Sequence, residues 1–131
     1  MKNKIDFKYN DGGRYRAGFR HHAGDCVTRS ISILFDLDYL NAHEQINILS
    51  KKFKDKKSIV PTGISLSTTK KLMKHFGLVW KHTNSFLDIP RKGKIILNLP
   101  NHVCAVIDRV IHDTHDNRNN SNRIYGYWKV G

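Results

Sequence analysis

The chain has 131 residues, of which 39% are hydrophobic and 26% charged, and its formal net charge is +12 at pH 7. This length suits one domain with a single hydrophobic core, and we expect that domain to span residues 1–131. No apolar stretch approaches the roughly 20 residues of a membrane-spanning helix, and no signal peptide is recognisable, so the sequence predicts a cytoplasmic protein without a membrane span.

The two cysteines, Cys26 and Cys104, do not resemble the disulfide framework of a small secreted domain, which agrees with the expected cytoplasmic location. The positive charge predicts attraction to nucleic acid or to an acidic protein, unless the lysines simply form a solvated surface. The basic residues cluster at Lys51, Lys52, Lys54, Lys56 and Lys57, at Lys70, Lys71 and Lys74, and at Arg91, Lys92 and Lys94. The sequence indicates no oligomeric state.

The N-terminal part of the chain predicts an arm followed by a first helix. Residues 1–24 contain several turn-forming glycines and are expected to form an extended arm. Residues 25–77 form the predicted helical part. Asp25 is a favourable N-cap for a first helix, whose broad apolar stripe ends near Asp36.

Two more helices are predicted in the helical part. Asn41 with Glu44 three residues later resembles a capping box, which would begin the second helix. Ser67 is the expected cap of the third helix, and Gly77 is its expected C-terminal stop.

The remaining residues, 78–131, predict an antiparallel sheet. They alternate β-branched or aromatic segments with turn residues. The predicted strands are Leu78–His82, Lys94–Leu99, His102–Ile107, Val110–Thr114 and Arg123–Val130, and residues 116–122 are a predicted loop. Because helices precede strands, the expected fold class is α+β, with N-terminal helices packed on a C-terminal sheet.

One cysteine lies where a nucleophile is expected. Cys26 belongs to the run Gly24-Asp25-Cys26-Val27-Thr28-Arg29, directly ahead of the apolar first helix. The free N–H groups and the positive dipole end of a helix stabilise a thiolate and lower its pKa. Later in the chain, His102 and Asp113 supply a possible base and a group to orient it.

The predicted hairpin selects Asp113 as the orienting acid. With Asp108-Arg109 as a two-residue turn, Asp113 lies diagonally across from His102 on one face of the sheet. Asp116 would then lie on the other face or in the loop. A register slip of one residue would reverse this preference.

These segments resemble the papain-like cysteine peptidase superfamily. The pair Asp25-Cys26 before an apolar helix looks most like its bacteriocin-processing branch, and the segments 102–108 and 110–113 look like its histidine and acid strands. The chain is also similar to small uncharacterised bacterial and phage proteins with a Gly-Asp-Cys-x-x-Arg motif. The resemblance covers residues from about 20 to about 128.

The resemblance implies a papain-like fold and attack on an amide bond of a peptide or protein substrate. Cys26 would be the nucleophile, His102 the base and then the acid, and Asp113 the group that holds the imidazole, with no cofactor. Hydrolysis and acyl transfer both remain open. A different class of function is a basic, non-enzymatic module on this fold that binds nucleic acid or an acidic protein.

The sequence departs from the family at the oxyanion site. Papain-like enzymes usually have a glutamine several residues ahead of the cysteine, whereas this chain has Arg20-His21-His22-Ala23-Gly24. Arg20 or His21 is the candidate replacement donor, beside the backbone N–H of Cys26. A modified or lost activity therefore stays open.

Other potentially reactive side chains are expected to have structural roles. Cys104 lies in mid-strand and is expected to pack in the core. The possible ligands His21, His22, Cys26, His112, His115 and Asp116 match no zinc-binding spacing, so no metal site is predicted. Four aromatic residues are expected to complete the core or border the cleft, with base stacking as the alternative: Trp80, Tyr125, Tyr127 and Trp128.

Overall fold

A computed structural model describes residues 5–19, 25–53, 64–118 and 124–131 of the chain. Its elements are β1 (Asp6–Tyr9), α1 (Cys26–Phe35), α2 (Tyr39–Phe53), α3 (Leu66–His75), β2 (Leu78–His82), a 3₁₀ turn (Phe86–Asp88), β3 (Lys94–Leu99), β4 (His102–Ile107), β5 (Val110–Asp113) and β6 (Gly126–Val130). The described residues confirm the α+β class. None of the helices among them is long and apolar enough to cross a bilayer.

The six strands form one sheet in the order β1-β5-β4-β3-β6-β2. Four of its pairings are antiparallel, whereas β1 runs parallel to β5, with Asp6 opposite Val110 and Tyr9 opposite Asp113. The expectation of an entirely antiparallel sheet from residues 78–131 is therefore corrected at this edge. The sequence signal was weak because β1 is short and three of its four residues are exposed.

The central strands are buried because both faces of the sheet are covered. On one face, Val103 and Ala105 of β4 pack against Val27, Ile31 and other apolar residues of α1. On the other face, a second cluster contains Cys104, Val106, Ile111 and Ile124. Alternate residues of a strand point to opposite faces, which explains this division. Cys104 is buried, as its mid-strand position predicted.

The first helix begins and ends near its predicted bounds, but its cap differs. Asp25 is the residue before α1, yet its side chain makes no capping hydrogen bond. Its carboxylate instead accepts hydrogen bonds from Arg14 and from the Tyr39 hydroxyl. The helix ends at Phe35, and Asp36 follows in the left-handed region at φ 53°.

The second helix starts two residues before its predicted cap, and the third helix starts one residue before its predicted cap. For α2, the Asp38 carboxylate accepts a hydrogen bond from the N–H of Asn41, so Asn41 lies inside the helix and is not its cap. For α3, the side chain of Ser65 rather than Ser67 accepts from the N–H of Thr68. Asp38 and Ser65 are equally good capping residue types, which the spacing alone does not distinguish from the predicted ones.

The ends of the predicted strands and of α3 are largely as expected. Gly77 follows α3 at φ +80°, a conformation that glycine adopts without a steric penalty. The predicted strands ending at Thr114 and starting at Arg123 are shorter in the structure, since β5 ends at Asp113 and β6 starts at Gly126.

The β4–β5 hairpin has the predicted register. Asp108 and Arg109 both have positive φ, 49° and 63°, as a two-residue type I′ turn requires. Ile107 lies opposite Val110, and Ala105 opposite His112. The Arg109 guanidinium donates hydrogen bonds to the carbonyls of Phe86 and Ile89, and the Asp108 carboxylate accepts one from the N–H of Gly93. These bonds hold the turn although neither of its residues is glycine.

Candidate active site

Cys26 is the first residue of α1 and is half-buried. The apolar face of α1 packs on β4, and this contact directs the N-terminal end of the helix to the start of that strand, where His102 lies. The thiol therefore combines two features that stabilise its anion, a helix N-terminus and a neighbouring imidazole.

His102 and Asp113 are joined by a short hydrogen bond. His102 begins β4 and Asp113 ends β5, so the hairpin register brings the two side chains together. His102 Nε2 lies 2.6 Å from Asp113 Oδ2. Because a carboxylate accepts, Nε2 carries the proton, and Nδ1 is the nitrogen left to face the Cys26 thiol, with which His102 also hydrogen-bonds.

Four donors surround the carboxylate of Asp113, which is 3% exposed. Oδ1 accepts from Arg29 Nη1 at 3.0 Å and from the N–H of Thr114 at 2.7 Å. Oδ2 accepts from His102 and from Asn117 Nδ2, each at 2.6 Å. Burial raises the pKa of Asp113, but the hydrogen bond and charge of His102, the Thr114 N–H and the Arg29 charge lower it overall. Asp113 is therefore ionised near neutral pH.

The electrostatics of the other two side chains favour an ion pair. Burial lowers the pKa of His102, but hydrogen bonds and charges from Asp113 and Cys26 raise it to about 9. Burial raises the pKa of Cys26, but the hydrogen bond from His102, the N–H of Val103 and the charges of His102 and Arg29 lower it overall. Both shifts favour a thiolate beside an imidazolium.

Arg29 connects this site to a second buried carboxylate. Its Nε lies 3.0 Å from Asp25 Oδ1, and its Nη1 lies 3.0 Å from Asp113 Oδ1. The Nε–H is not directed at a hydrogen-bond acceptor, so the contact with Asp25 is an ion pair only. Asp25 also contacts Arg14 at 3.2 Å and the Tyr39 hydroxyl at 2.9 Å, and burial together with the hydrogen bond to Asp25 raises the pKa of Tyr39.

The Gly-Asp-Cys-x-x-Arg run thus has a structural meaning that sequence reasoning missed. Asp25 and Arg29 are four residues apart on the helix, so their side chains meet on one face. That spacing was a readable signal for the ion pair. The contact of Arg29 with Asp113 and that of Asn117 with the same carboxylate depend on tertiary packing and had no sequence signal.

A cavity of about 750 Å³ opens beside Cys26 and His102. The helix α3 and the residues before it line one side, with Ile64, Leu66 and Thr69. The strand ends line the other side, with Asn98 and Tyr125. Tyr125 is exposed at this cavity, as expected for an aromatic residue that borders a cleft, whereas Trp128 is buried in the core.

The remaining sequence candidates are not part of this arrangement. The oxyanion candidates Arg20 and His21 lie outside the described residues. Asp116 forms an ion pair with Arg118 at 2.6 Å. His112, one of the possible metal ligands considered from the sequence, hydrogen-bonds to the side chain of Asn10 at 3.2 Å.

Among the described residues, one group of side chains has ligand atoms close enough to hold a metal ion. His102, Asp113 and His115 have ligand atoms within 4.8 Å of one another. The group shares its first two members with the Cys26 site. A metal held by His102 Nε2 would displace the proton that links this nitrogen to Asp113, so such a metal and the His102–Asp113 hydrogen bond exclude each other.

No protein-family model, curated protein or solved structure matches this chain. The arrangement of Cys26, His102 and Asp113 therefore has to be interpreted from its own geometry and chemistry.

Proposed function

We propose that this chain is a papain-like cysteine peptidase, or a related thiol hydrolase or acyltransferase, that acts on an amide bond of a peptide or protein substrate. One observation carries the proposal: Cys26 at the start of α1 and His102 at the start of β4 lie at one cavity, and His102 Nε2 lies 2.6 Å from Asp113 Oδ2. A nucleophile, a base and an orienting acid in one series are the requirements of covalent acyl transfer.

The reaction starts from the thiolate–imidazolium pair. Cys26 Sγ forms a bond to the carbonyl carbon, and His102 gives its Nδ1 proton to the departing amine as the carbon–nitrogen bond breaks. The product is a thioester on Cys26. A water molecule then attacks the thioester while His102 accepts its proton, which releases the acid and restores the thiolate. If an amine replaces water in the second step, the result is acyl transfer.

Other features agree with this assignment. The cavity beside Cys26 leaves room for a substrate segment. Both cysteines are free, as a catalytic thiol requires. We extend the proposal to the reducing cytoplasm, where such a thiol persists.

Alkylation by iodoacetamide tests the nucleophile directly. We expect Cys26 to react faster than a free cysteine at mildly acidic pH, because its pKa is lowered. Cys104 is an internal control in the same chain, since it is buried and burial raises its pKa well above the ordinary value. Mass spectrometry of peptides locates the label. If Cys26 reacts no faster than free cysteine, the proposal fails.

Electrophilic probes separate the possible reactions. An acyl probe should modify wild-type protein at Cys26 and leave Cys26→Ser unmodified, and His102→Ala should slow the modification sharply. Product analysis in the presence and absence of an added amine then distinguishes hydrolysis from transfer. Wild-type protein that forms no adduct with any acyl probe would argue against an enzyme.

The basic face of α2 and α3 supports a second candidate function, a non-enzymatic module that binds nucleic acid or an acidic protein. The two helices are linked where Lys71 Nζ donates to the carbonyl of Phe53. The exposed lysines of this face are Lys51, Lys52, Lys70, Lys71 and Lys74. Such a field attracts polyanions, and their binding weakens as salt rises.

Fluorescence anisotropy with labelled DNA and RNA tests the second candidate. Salt-dependent binding that is unchanged by Cys26→Ala and reduced by Lys70→Glu with Lys74→Glu would favour the module. Binding that is absent at low salt would exclude nucleic acid as its ligand.

A further inference from the structure

Asn98 is a mostly buried polar residue at the cavity that the chemistry described above does not use. Asn98 belongs to β3, where it is one of five consecutive buried residues, and it is 5% exposed. Its backbone carbonyl accepts a hydrogen bond from the N–H of Tyr125. No hydrogen bond of its side-chain amide is found within the described part of the chain, and the amide atoms are not fully buried, which leaves them open to the cavity.

The position of Asn98 in the sheet places that amide next to the thiol. Asn98 lies directly opposite Val103 in the β3–β4 ladder, and Val103 and Cys26 line the same cavity. Opposite residues of an antiparallel pair have Cα atoms about 5 Å apart and share a face. Val103 packs on α1, so the Asn98 side chain is on the side of the sheet where Cys26 lies.

The Asn98 amide lies where a ligand in the cavity would reach it. Asn98, Cys26 and His102 all line the cavity, together with the apolar residues Ile64 and Leu66. An amide with no protein partner can complete its hydrogen bonds with a ligand in the cavity. A carbonyl oxygen held close to Sγ is such a ligand.

We propose that Asn98 is the side-chain oxyanion donor, whose Nδ2–H hydrogen-bonds to the carbonyl oxygen of the acyl group that Cys26 attacks. This inference rests on the proposed function. When Sγ bonds to the carbonyl carbon, the electron pair of the C=O π bond moves to oxygen, and Asn98 stabilises that charge. When the carbonyl re-forms, the carbon–nitrogen bond breaks and the amine leaves with the proton from His102. Asn98 thus fills the role for which the sequence offers no glutamine ahead of Cys26.

Two reactions at the same thiol test this role. Alkylation by iodoacetamide occurs at a saturated carbon and develops no oxyanion, whereas acetylation by p-nitrophenyl acetate does. We expect Asn98→Ala to slow acetylation of Cys26 by about 100-fold or more, the usual effect of removing one oxyanion donor. Alkylation should be unchanged. Asn98→Leu, which preserves the side-chain size in an apolar wall, should behave in the same way.

A matched control comes from outside the cavity. Asn84 is exposed after β2 and is not among the residues that line the cavity. Asn84→Ala should leave both rates unchanged. If wild-type Cys26 is alkylated rapidly but never acetylated, the proposed function fails. If wild-type protein is acetylated and Asn98→Ala is acetylated equally fast, or both reactions slow together, only the role of Asn98 is overturned.

The wild-type protein provides an independent readout. In a ¹H–¹⁵N spectrum, acetylation of Cys26 should shift the side-chain NH₂ signals of Asn98, because the thioester oxygen accepts from Nδ2. The signals of Asn84, which is exposed and outside the cavity lining, should stay in place. Unmoved Asn98 signals in fully acetylated protein would overturn the inference.

Discussion

Arg29 holds the carboxylate of Asp113 from the side opposite His102. The guanidinium Nη1 lies 3.0 Å from Oδ1, while His102 Nε2 lies 2.6 Å from Oδ2. Arg29 also donates to the hydroxyl of Thr114 at 2.8 Å. Since Arg29 and Cys26 are both in α1, one helix supplies the nucleophile and fixes the acid that orients its base.

Loss of Arg29 is therefore expected to affect stability and chemistry together. Arg29→Met leaves the buried carboxylates of Asp25 and Asp113 without their shared counter-charge. Removing one partner of a buried ion pair costs about 3–5 kcal/mol of unfolding free energy. Chemical denaturation should measure that loss, and the alkylation pH profile of Cys26 should move upward, because the Arg29 charge lowers the thiol pKa.

A surface ion pair provides the comparison for Arg29. Arg118 and Asp116 form a pair at 2.6 Å whose side chains are about a third exposed. Arg118→Met should change the unfolding free energy little and leave the pH profile of Cys26 alkylation unaltered, since exposed ion pairs are screened by water. Equal effects of the two substitutions would contradict the bridging role of Arg29.

Asp113→Asn should separate orientation from packing. The amide retains the shape of the carboxylate but removes the charge that raises the pKa of His102. The imidazolium then forms less readily, and the thiolate loses its counter-ion. We expect acetylation of Cys26 at neutral pH to fall by about 100-fold or more, as measured by release of p-nitrophenolate. Asp116→Asn is the control, and an equal loss there would mean that a general charge effect is responsible.

Local signals made much of the sheet predictable. The two-residue turn at Asp108-Arg109 fixed the β4–β5 register, and that register selected the contact between His102 and Asp113 before any tertiary information was used. The strand β1 was missed because it pairs with a segment about a hundred residues away and has no buried face of its own. Its residues show little of the alternation that marks a half-buried strand.

The candidate site was only partly readable for a related reason. The helix-start position of Cys26 and the order of Cys26, His102 and Asp113 are visible along the chain. The contact of Arg29 with Asp113 depends on how α1 is rotated against β4, and the contact of Asn117 depends on the path of the loop after β5. The position of Asn98 at the cavity likewise depends on how the helices pack on the sheet. Those are properties of packing, and no local pattern encodes them.

Gly126 is expected to be the least replaceable glycine of the sheet. Gly126 lies in β6 opposite Asn98 of β3. A Cβ at Gly126 would lie 2.4 Å from the carbonyl oxygen of Lys81 and 2.6 Å from the Trp80 ring. Its φ of +152° also disfavours other residues. Gly126→Ala should therefore lower the unfolding free energy by about 2–3 kcal/mol. Gly18→Ala is the control. Gly18 also has a positive φ, +98°, but a Cβ there would have no atom within 4 Å, so this variant measures the backbone strain without a steric collision. Equal losses would show that the collision is relieved.

The last prediction concerns how stability depends on pH. The folded pKa of His102 is raised from 6.5 to about 9, so its contribution is fully present below pH 6.5 and is lost as pH rises through the folded value. The pKa of Cys26 is lowered, so its contribution has the opposite sign and is lost as pH falls through the folded value. In wild-type protein the two contributions oppose each other, because folding favours proton binding at the imidazole nitrogen and proton release from the sulfur.

Cys26→Ser removes one of these opposing contributions. Asp113 still raises the pKa of His102 in this variant, so its unfolding free energy should fall more steeply than that of wild-type protein as pH rises above 6.5. Urea denaturation at a series of pH values measures both curves, and Cys104→Ser is the control for loss of a cysteine outside the pair. If the Cys26→Ser curve runs parallel to the wild-type curve, His102 and Cys26 do not form the ion pair.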